Sequence, residues 1–315
     1  MVVFLLKIIF VFGRVSYESE ILVLKNEYLT DGYKRRMRIK CWGSRGSVCV
    51  AGQQYTRYGG DTTCFEIQAN SGEVVIIDAG TGIRRLGKHL VQRKVKTCYL
   101  LLTHAHWDHI IGLPFFHPLF HPNITIHIQD RTFAGLTTRK IVDRVMCMPF
   151  FPVGLKDYNA DIRFDSSLNN RFSIGSLDIE TIATSHSQNS MGYRFTENGK
   201  TFVFLTDNEL GYTHSQGKSV EQYIDFSKDA DVLFHDTEYT DDEYPEKTGW
   251  GHSRLSDVLN LSHRASVGQL GLIHINQDRT DDQVDAMVEQ CRRFFKDHHL
   301  STACYAVSAD FEIFL

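Results

Sequence analysis

The run Thr103-His104-Ala105-His106-Trp107-Asp108-His109 packs three imidazoles and a carboxylate into positions 104–109. In an extended segment residues i and i+2 point the same way. His104 and His106 can therefore bind one metal ion together. Asp108 and His109 lie just beyond, where the chain turns, and can bind a second ion or hold a metal-bound water. Imidazole is the commonest ligand for zinc-like ions, and carboxylate oxygen completes a mixed site. The H-x-H-x-D-H order is too dense for chance histidines in a polar loop.

The elements that must position these groups are legible as apolar runs. Tyr99-Leu100-Leu101-Leu102 leads directly into the histidine run. Three further candidate ligands also follow strand-like segments. His186 follows Leu177–Ala183, whose apolar and polar side chains alternate as in a half-buried strand. Asp207 follows Thr201-Phe202-Val203-Phe204-Leu205, and His274 follows Leu270-Gly271-Leu272-Ile273. Asp78 ends the run Val74-Val75-Ile76-Ile77 ahead of Ala79-Gly80-Thr81-Gly82. Each residue sits where a strand gives way to a loop, and loops on a rigid scaffold commonly carry sites.

The histidine run resembles the signature of the metallo-β-lactamase-fold hydrolases, and the resemblance covers roughly residues 37–315. It implies an α/β architecture, a four-layer αββα sandwich with a dinuclear metal site at one edge of two packed sheets. Carried over residue by residue, it gives His104, His106 and His186 to the first metal. Asp108, His109 and His274 go to the second, with Asp207 bridging both. Asp78 would orient a ligand histidine or its loop. Oxygen-reducing di-iron relatives carry an acidic residue where this chain has His106. The nitrogen-rich first site favours zinc and hydrolysis, with manganese or iron as options at the second.

The C-terminal third narrows the branch. His235-Asp236-Thr237-Glu238-Tyr239, then Gly251-His252-Ser253, then His274, resembles the order in ribonuclease Z and small cyclic-nucleotide phosphodiesterases. The resemblance makes His252 the general acid, oriented by Asp236 or Glu238. Ribonuclease Z usually has Glu where this chain has Asp236. His252 as a surface helix cap is the competing reading. Lys40–Ser47 and Arg57–Cys64 bracket a glycine-rich loop in which Arg45 and the Gly46-Ser47 amides could meet a phosphate.

These readings imply phosphodiester hydrolysis by a metal-bridging hydroxide held by Asp108 and Asp207, with His252 protonating the leaving alkoxide. The expected substrate is a small phosphodiester such as a cyclic nucleotide. Transfer-RNA 3′ processing, thioester or lactone hydrolysis on the same site, and a non-catalytic binding role are the alternatives.

With 315 residues and 42 % hydrophobic content the chain can bury a full core. Residues 37–315 read as a single hydrolase domain. Helical patterns fall at Ser219–Phe226, Arg254–Arg264 and Asp281–Lys296, the last capped by Thr280 with Val284, Met287, Val288 and Cys291 on one face. The formal charge of −4 does not suggest an extended nucleic-acid surface, so RNA is disfavoured as a partner. A homodimer is compatible with the sequence. Seven cysteines without a C-x-x-C pair read as a reducing, cytoplasmic setting.

Met1–Phe12 is apolar apart from Lys7, too short to span a membrane, and lacks a clear cleavage site. Residues 1–36 read as an N-terminal extension in which Ile21–Leu24 could add a strand, and Met37 is a candidate start. Gly112–Pro122 and Met146–Val153 are aromatic and punctuated by proline. They read mainly as core or interface packing, with Phe116, Phe120, Phe150 and Phe151 as candidates to stack on a base. The prolines near His117 and His121 argue against a third metal site there.

Overall fold

The computed structural model describes residues 36–187 and 189–315. The apolar N-terminal run and the strand expected at Ile21–Leu24 lie outside the described residues. In chain order the first half supplies β1 (Arg38–Gly43), β2 (Cys64–Gln68), β3 (Val74–Ile77), helix α1 (Ile83–Gln92), β4 (Thr97–Leu101) and the single turn α2 (Trp107–Ile110). It continues with β5 (Thr125–Gln129), a hairpin of β6 (Thr132–Phe133) and β7 (Leu136–Thr137), α3 (Thr138–Val145) and β8 (Asp161–Asp165). The second half supplies β9 (Arg171–Ile174), β10 (Leu177–Ala183), β11 (Met191–Glu197), β12 (Lys200–Leu205), α4 (Val220–Ser227) and β13 (Val232–Asp236). After these come α5 (Leu255–Arg264), β14 (Gln269–Ile273), α6 (Asp281–Asp297), β15 (Ala303–Ala306) and β16 (Glu312–Phe314).

Two seven-stranded sheets result, ordered β16-β1-β2-β3-β4-β5-β8 and β15-β14-β13-β12-β11-β10-β9. In the first, β3, β4, β5 and β8 run parallel, and in the second, β12 to β15 do. The central strands are apolar on both faces, as strands covered on both sides must be. Val75 and Ile77 of β3 meet Phe204 of β12 and Phe234 of β13 in the core between the sheets. Val74 and Ile76 face the other way, against Ile83, Leu86 and Leu90 of α1. Phe202 and Phe204 point into the inter-sheet core, while Val203 and Leu205 pack under α4, α5 and α6. Helix, sheet, sheet and helix layers follow, which is the αββα sandwich expected.

The three helical patterns form, and the expected cap of the last, Thr280, is in place. Ser219 caps α4 and Thr280 caps α6, each reciprocated by a glutamine three residues on. Arg254, not His252 or Ser253, occupies the cap position of α5. Among the described residues, no helix is long and apolar enough to cross a membrane. The aromatic stretch divides. Phe116 is fully buried in the core, whereas Phe150 is exposed beside Trp107 in an apolar pocket.

The parallel strands aim their carboxyl ends at one edge of the sandwich. Such ends are where α/β sheets commonly present ligand-binding loops. Asp78 follows β3, His104 follows β4, Asp207 follows β12, Asp236 ends β13 and His274 follows β14.

Candidate functional site

Three of these strand-end residues leave their strands in the left-handed region: Asp78 at φ 61°, Asp207 at φ 47° and His274 at φ 53°. That conformation costs an L-residue about 1–2 kcal/mol. Asp and His tolerate it better than β-branched residues. The turn throws each side chain into the space between the two sheet edges.

All seven residues expected as ligands converge there. His104, His106, His186 and Asp207 offer ligand atoms within 4.8 Å of one another, as do Asp108, His109 and His274. A third such group joins Asp207, His252 and His274. Asp207 is central: its carboxylate lies 3.5 Å from His104 Nε2, 3.3 Å from His109 Nε2, 3.7 Å from His186 Nε2 and 3.4 Å from His274 Nε2.

Neighbouring groups approach a ring nitrogen of each imidazole. Nδ1 of His109 meets Asp78 Oδ2 at 2.7 Å, and Asp78 also accepts the Thr103 amide at 2.7 Å and its hydroxyl at 2.8 Å. His186 Nδ1 donates to the Gly251 carbonyl at 3.0 Å. His274 Nδ1 lies 3.0 Å from Glu238 Oε2. His104 Nδ1 lies 3.1 Å from the Thr103 hydroxyl, and Ser187 Oγ lies 3.1 Å from His106 Nε2. Second partners of this kind fix tautomer and ring orientation. Glycine is required twice by close approach. A Cβ on Gly251 (φ +94°) would sit 1.9 Å from His186 Nδ1, and one on Gly46 would sit 2.3 Å from His274 Nδ1.

The chemistry of this donor set fits divalent metal. His104 Nε2 and His109 Nε2 are buried without hydrogen-bond partners, although carboxylates surround them. Burial, reinforced by His109, drives the His104 pKa well below its ordinary value. Burial likewise pushes His186 down to about 3, against the pull of Asp207. Both are neutral imidazoles, the form that ligates. His109 and His274 go the other way. Burial opposes their charge, but Asp108 and Asp207 at His109, and Asp207 at His274, outweigh it and raise both well above normal. Asp108 is held far below the usual carboxylate range by His109 and His274 despite its burial. The carboxylates that raise His109 and His274 are the negative charge a metal cation would balance.

His252 stands at the rim of this cluster, 4.0 Å from Asp207 and with its ring stacked on His274 at 4.6 Å between centroids. Its Nδ1 lies 3.0 Å from Asp236 Oδ2 and 3.5 Å from Glu238 Oε2. Burial works against its charge, yet Asp236 and then Glu238 raise its pKa to about 9. It is 9 % exposed, which removes the surface-cap reading.

Arg45 corrects an expectation. It is 1 % exposed and donates to the backbone carbonyls of Gly59 at 2.9 Å, Asn276 at 3.2 Å and Arg279 at 2.8 Å, with Asp281 at 3.6 Å. A guanidinium buried in this way, with Nε and Nη1 on carbonyls and Nη2 facing Asp281, is unavailable to a phosphate. It ties the glycine-rich loop to the segment after β14. Ser47 contributes its amide, which donates to Asp108 Oδ2 at 2.8 Å.

Sequence reasoning missed Glu209. Its buried carboxylate accepts from His214 Nε2 at 2.9 Å, and from the Tyr244 hydroxyl and the Gly249 and Gly251 amides at 2.7 Å each. It clamps the loop that carries His252. A carboxylate two residues after Asp207 was the available signal.

Comparison with known proteins places this geometry. A family model described as "Beta-lactamase superfamily domain" matches residues 73–275. Ribonuclease Z of Oceanobacillus iheyensis is 21 % identical over 278 residues, spanning 71 % of this chain and 85 % of the relative. The metallo-β-lactamase fold protein YhfI of Bacillus subtilis superposes with a TM-score of 0.64 at 17 % identity, covering 89 % of this chain and 100 % of its own. Human tRNase Z, short form, gives a TM-score of 0.57 at 16 % identity, covering 88 % and 98 %. At such identities the superpositions speak to fold alone. The family match over most of the chain, with the ribonuclease Z relatives, shows that it belongs to the β-lactamase superfamily, as a metal-dependent hydrolase on the ribonuclease Z and phosphodiesterase branch of the metallo-β-lactamase fold.

Proposed function

We propose that residues 37–315 form one dinuclear-metal phosphodiesterase domain that cleaves RNA near a 3′ end, as an RNA-processing endonuclease. The observation that carries the reading is the Asp236–His252 pair, 3.0 Å apart, set against the seven-residue cluster. An alkoxide is a poor leaving group and needs a proton as it departs from phosphorus, and His252, buried and held by Asp236, is placed for that step.

His104, His106, His186 and Asp207 would hold one ion and Asp108, His109, His274 and Asp207 the other, with zinc favoured by the imidazole-rich set. Ions bound there supply an acidified water and neutralise phosphoryl oxygens. The chain's own residues do the rest. Asp78, Glu238 and the Gly251 carbonyl keep the ligand histidines in the required tautomers. Ser47 holds Asp108 through its amide. Asp236 fixes His252 Nδ1, so the proton passes from Nε2 to the departing oxygen.

Ribonuclease Z relatives favour RNA over the cyclic nucleotide expected from sequence, and the inference against RNA from net charge is withdrawn. A formal charge of −4 is a sum over the whole surface and says nothing about one edge. A small phosphodiester remains a second reading because the space beside His252 is only about 330 Å³ and includes acidic residues.

The test is the zinc- or manganese-loaded protein, with a chelated control, against three substrates: a precursor transfer RNA with a 3′ trailer, bis-p-nitrophenyl phosphate, and 3′,5′-cyclic nucleotides. Metal-dependent trailer removal supports the first reading. Cleavage of cyclic nucleotides with intact precursor RNA supports the second. No hydrolysis of any of them by metal-loaded protein overturns both.

A further inference from the structure

The wall that selects the substrate is readable on the His252 side of the cluster. A cavity of about 330 Å³ there is lined by His252 itself together with Ser47, Tyr239, Lys247, Trp250 and Gln277. Because Asp236 occupies Nδ1 of His252, the proton leaves from the opposite edge of the ring. The group that departs with that proton must lie beside the imidazole, and the cavity that His252 helps line is the space there that can take the leaving alcohol.

Two features give this space a chemical preference. Trp250 is 61 % exposed, although Gly251, His252 and Ser253 immediately after it are buried. The Lys247 ammonium lies over its indole, 4.1 Å from the ring centroid. Of the three carboxylates that line the cavity, Asp278 takes only the Gln277 side-chain amide, at 3.3 Å, and the other two are matched. Glu243 pairs with Arg279 at 2.6 Å, and Glu238 meets His274 at 3.0 Å and the Asn276 amide at 3.0 Å. Lys247 forms no ion pair among the described residues and remains available to an anion. An open indole beside an uncommitted ammonium suits a base with its phosphate, since a nucleobase of any identity presents a π-face.

We propose that this cavity is a nucleoside subsite for the leaving group, in which Trp250 stacks on the base and Lys247 meets the adjoining strand phosphate. The inference rests on the phosphodiesterase reading and names the residues that select its substrate. They are specificity residues; His252 alone in this cavity transfers a proton.

The experiment compares kcat/KM for a dinucleoside monophosphate with kcat/KM for bis-p-nitrophenyl phosphate, in the metal-loaded protein and in Trp250→Ala, Trp250→Phe and Lys247→Ala. The selectivity ratio falls about tenfold or more in Trp250→Ala, chiefly through KM, in line with the loss of one base-stacking contact. Trp250→Phe restores most of it. An unchanged ratio, or equal losses on both substrates, overturns the proposal. A second measurement does not need turnover. Adenosine titrated into the metal-loaded protein quenches tryptophan fluorescence saturably, and the quenching disappears in Trp250→Phe, in which Trp42 and Trp107 remain. If the protein hydrolyses neither of the two substrates nor the precursor transfer RNA, the phosphodiesterase reading fails, and this titration still decides the subsite. Absent quenching, or quenching that survives in Trp250→Phe, overturns it.

Discussion

Glu209 accepts the amide of Gly251 at 2.7 Å, while the carbonyl of the same glycine takes Nδ1 of His186 at 3.0 Å. One residue further on lies His252. A single buried carboxylate thus sets the position of a candidate ligand and of the candidate proton donor. Glu209→Gln keeps the shape but turns an amide NH2 toward donors that need an acceptor. Each unpaired buried donor costs about 1–3 kcal/mol. We expect a stability loss of about 2–5 kcal/mol by urea denaturation, with reduced kcat in the folded fraction.

Asp207 reaches four imidazoles from the centre of the cluster. Asp207→Ala should lose both ions, measured as metal per chain after desalting. Its turnover should drop to that of the chelated wild-type protein. Retention of two ions by this variant would remove Asp207 from the bridging role.

His252→Ala should keep its metal and lose about 10²–10⁴-fold in kcat, the usual contribution of a positioned acid. The pH dependence follows from the sign of the shift. Asp236 and Glu238 raise His252 to about 9, so the imidazolium is present below that pH and turnover declines as pH rises through it. Asp236→Asn removes the larger of the two raising charges and should move the alkaline limb to lower pH.

Metal loading should release protons. His109 and His274 are held protonated by neighbouring carboxylates, with Asp108 and Asp207 foremost at His109 and Asp207 at His274, and both must shed that proton to ligate. Acidification on adding zinc to weakly buffered apo-protein, together with weakening affinity at lower pH, is the expected result. Uptake without proton release would contradict the charge balance described above.

Arg45→Met should act on stability. It strands three backbone carbonyls and leaves Asp281 with backbone amides but no buried cation, a change of about 3–5 kcal/mol for a broken buried ion pair. A thermal melt reads it. A specific rise in KM with an unchanged melt would restore Arg45 as a phosphate contact.

The histidine run and the strand-end ligands were legible because each carries its signal locally. His104 and His106 share the period of an extended segment, and His186, Asp207 and His274 each follow an apolar run. The buried character of Val74–Ile77 was equally plain. Arg45 was misread because its partners come from residues 59, 276, 279 and 281, which only the folded chain brings together. Glu209 was missed for the same reason, since its donors arrive from positions 214, 244, 249 and 251. Sheet order was also beyond local pattern, as the pairing of β1 with β16 joins opposite ends of the described chain.

The seven candidate ligands are divided between the halves of the sandwich. His104, His106, Asp108 and His109 come from the first sheet's loops, and His186, Asp207 and His274 from the second's. A nascent chain with only its first half complete lacks the bridging carboxylate and two imidazoles. It cannot assemble the centre until the second half has been made. Placing the scissors' two blades on separate sheets makes activity the last property the molecule acquires.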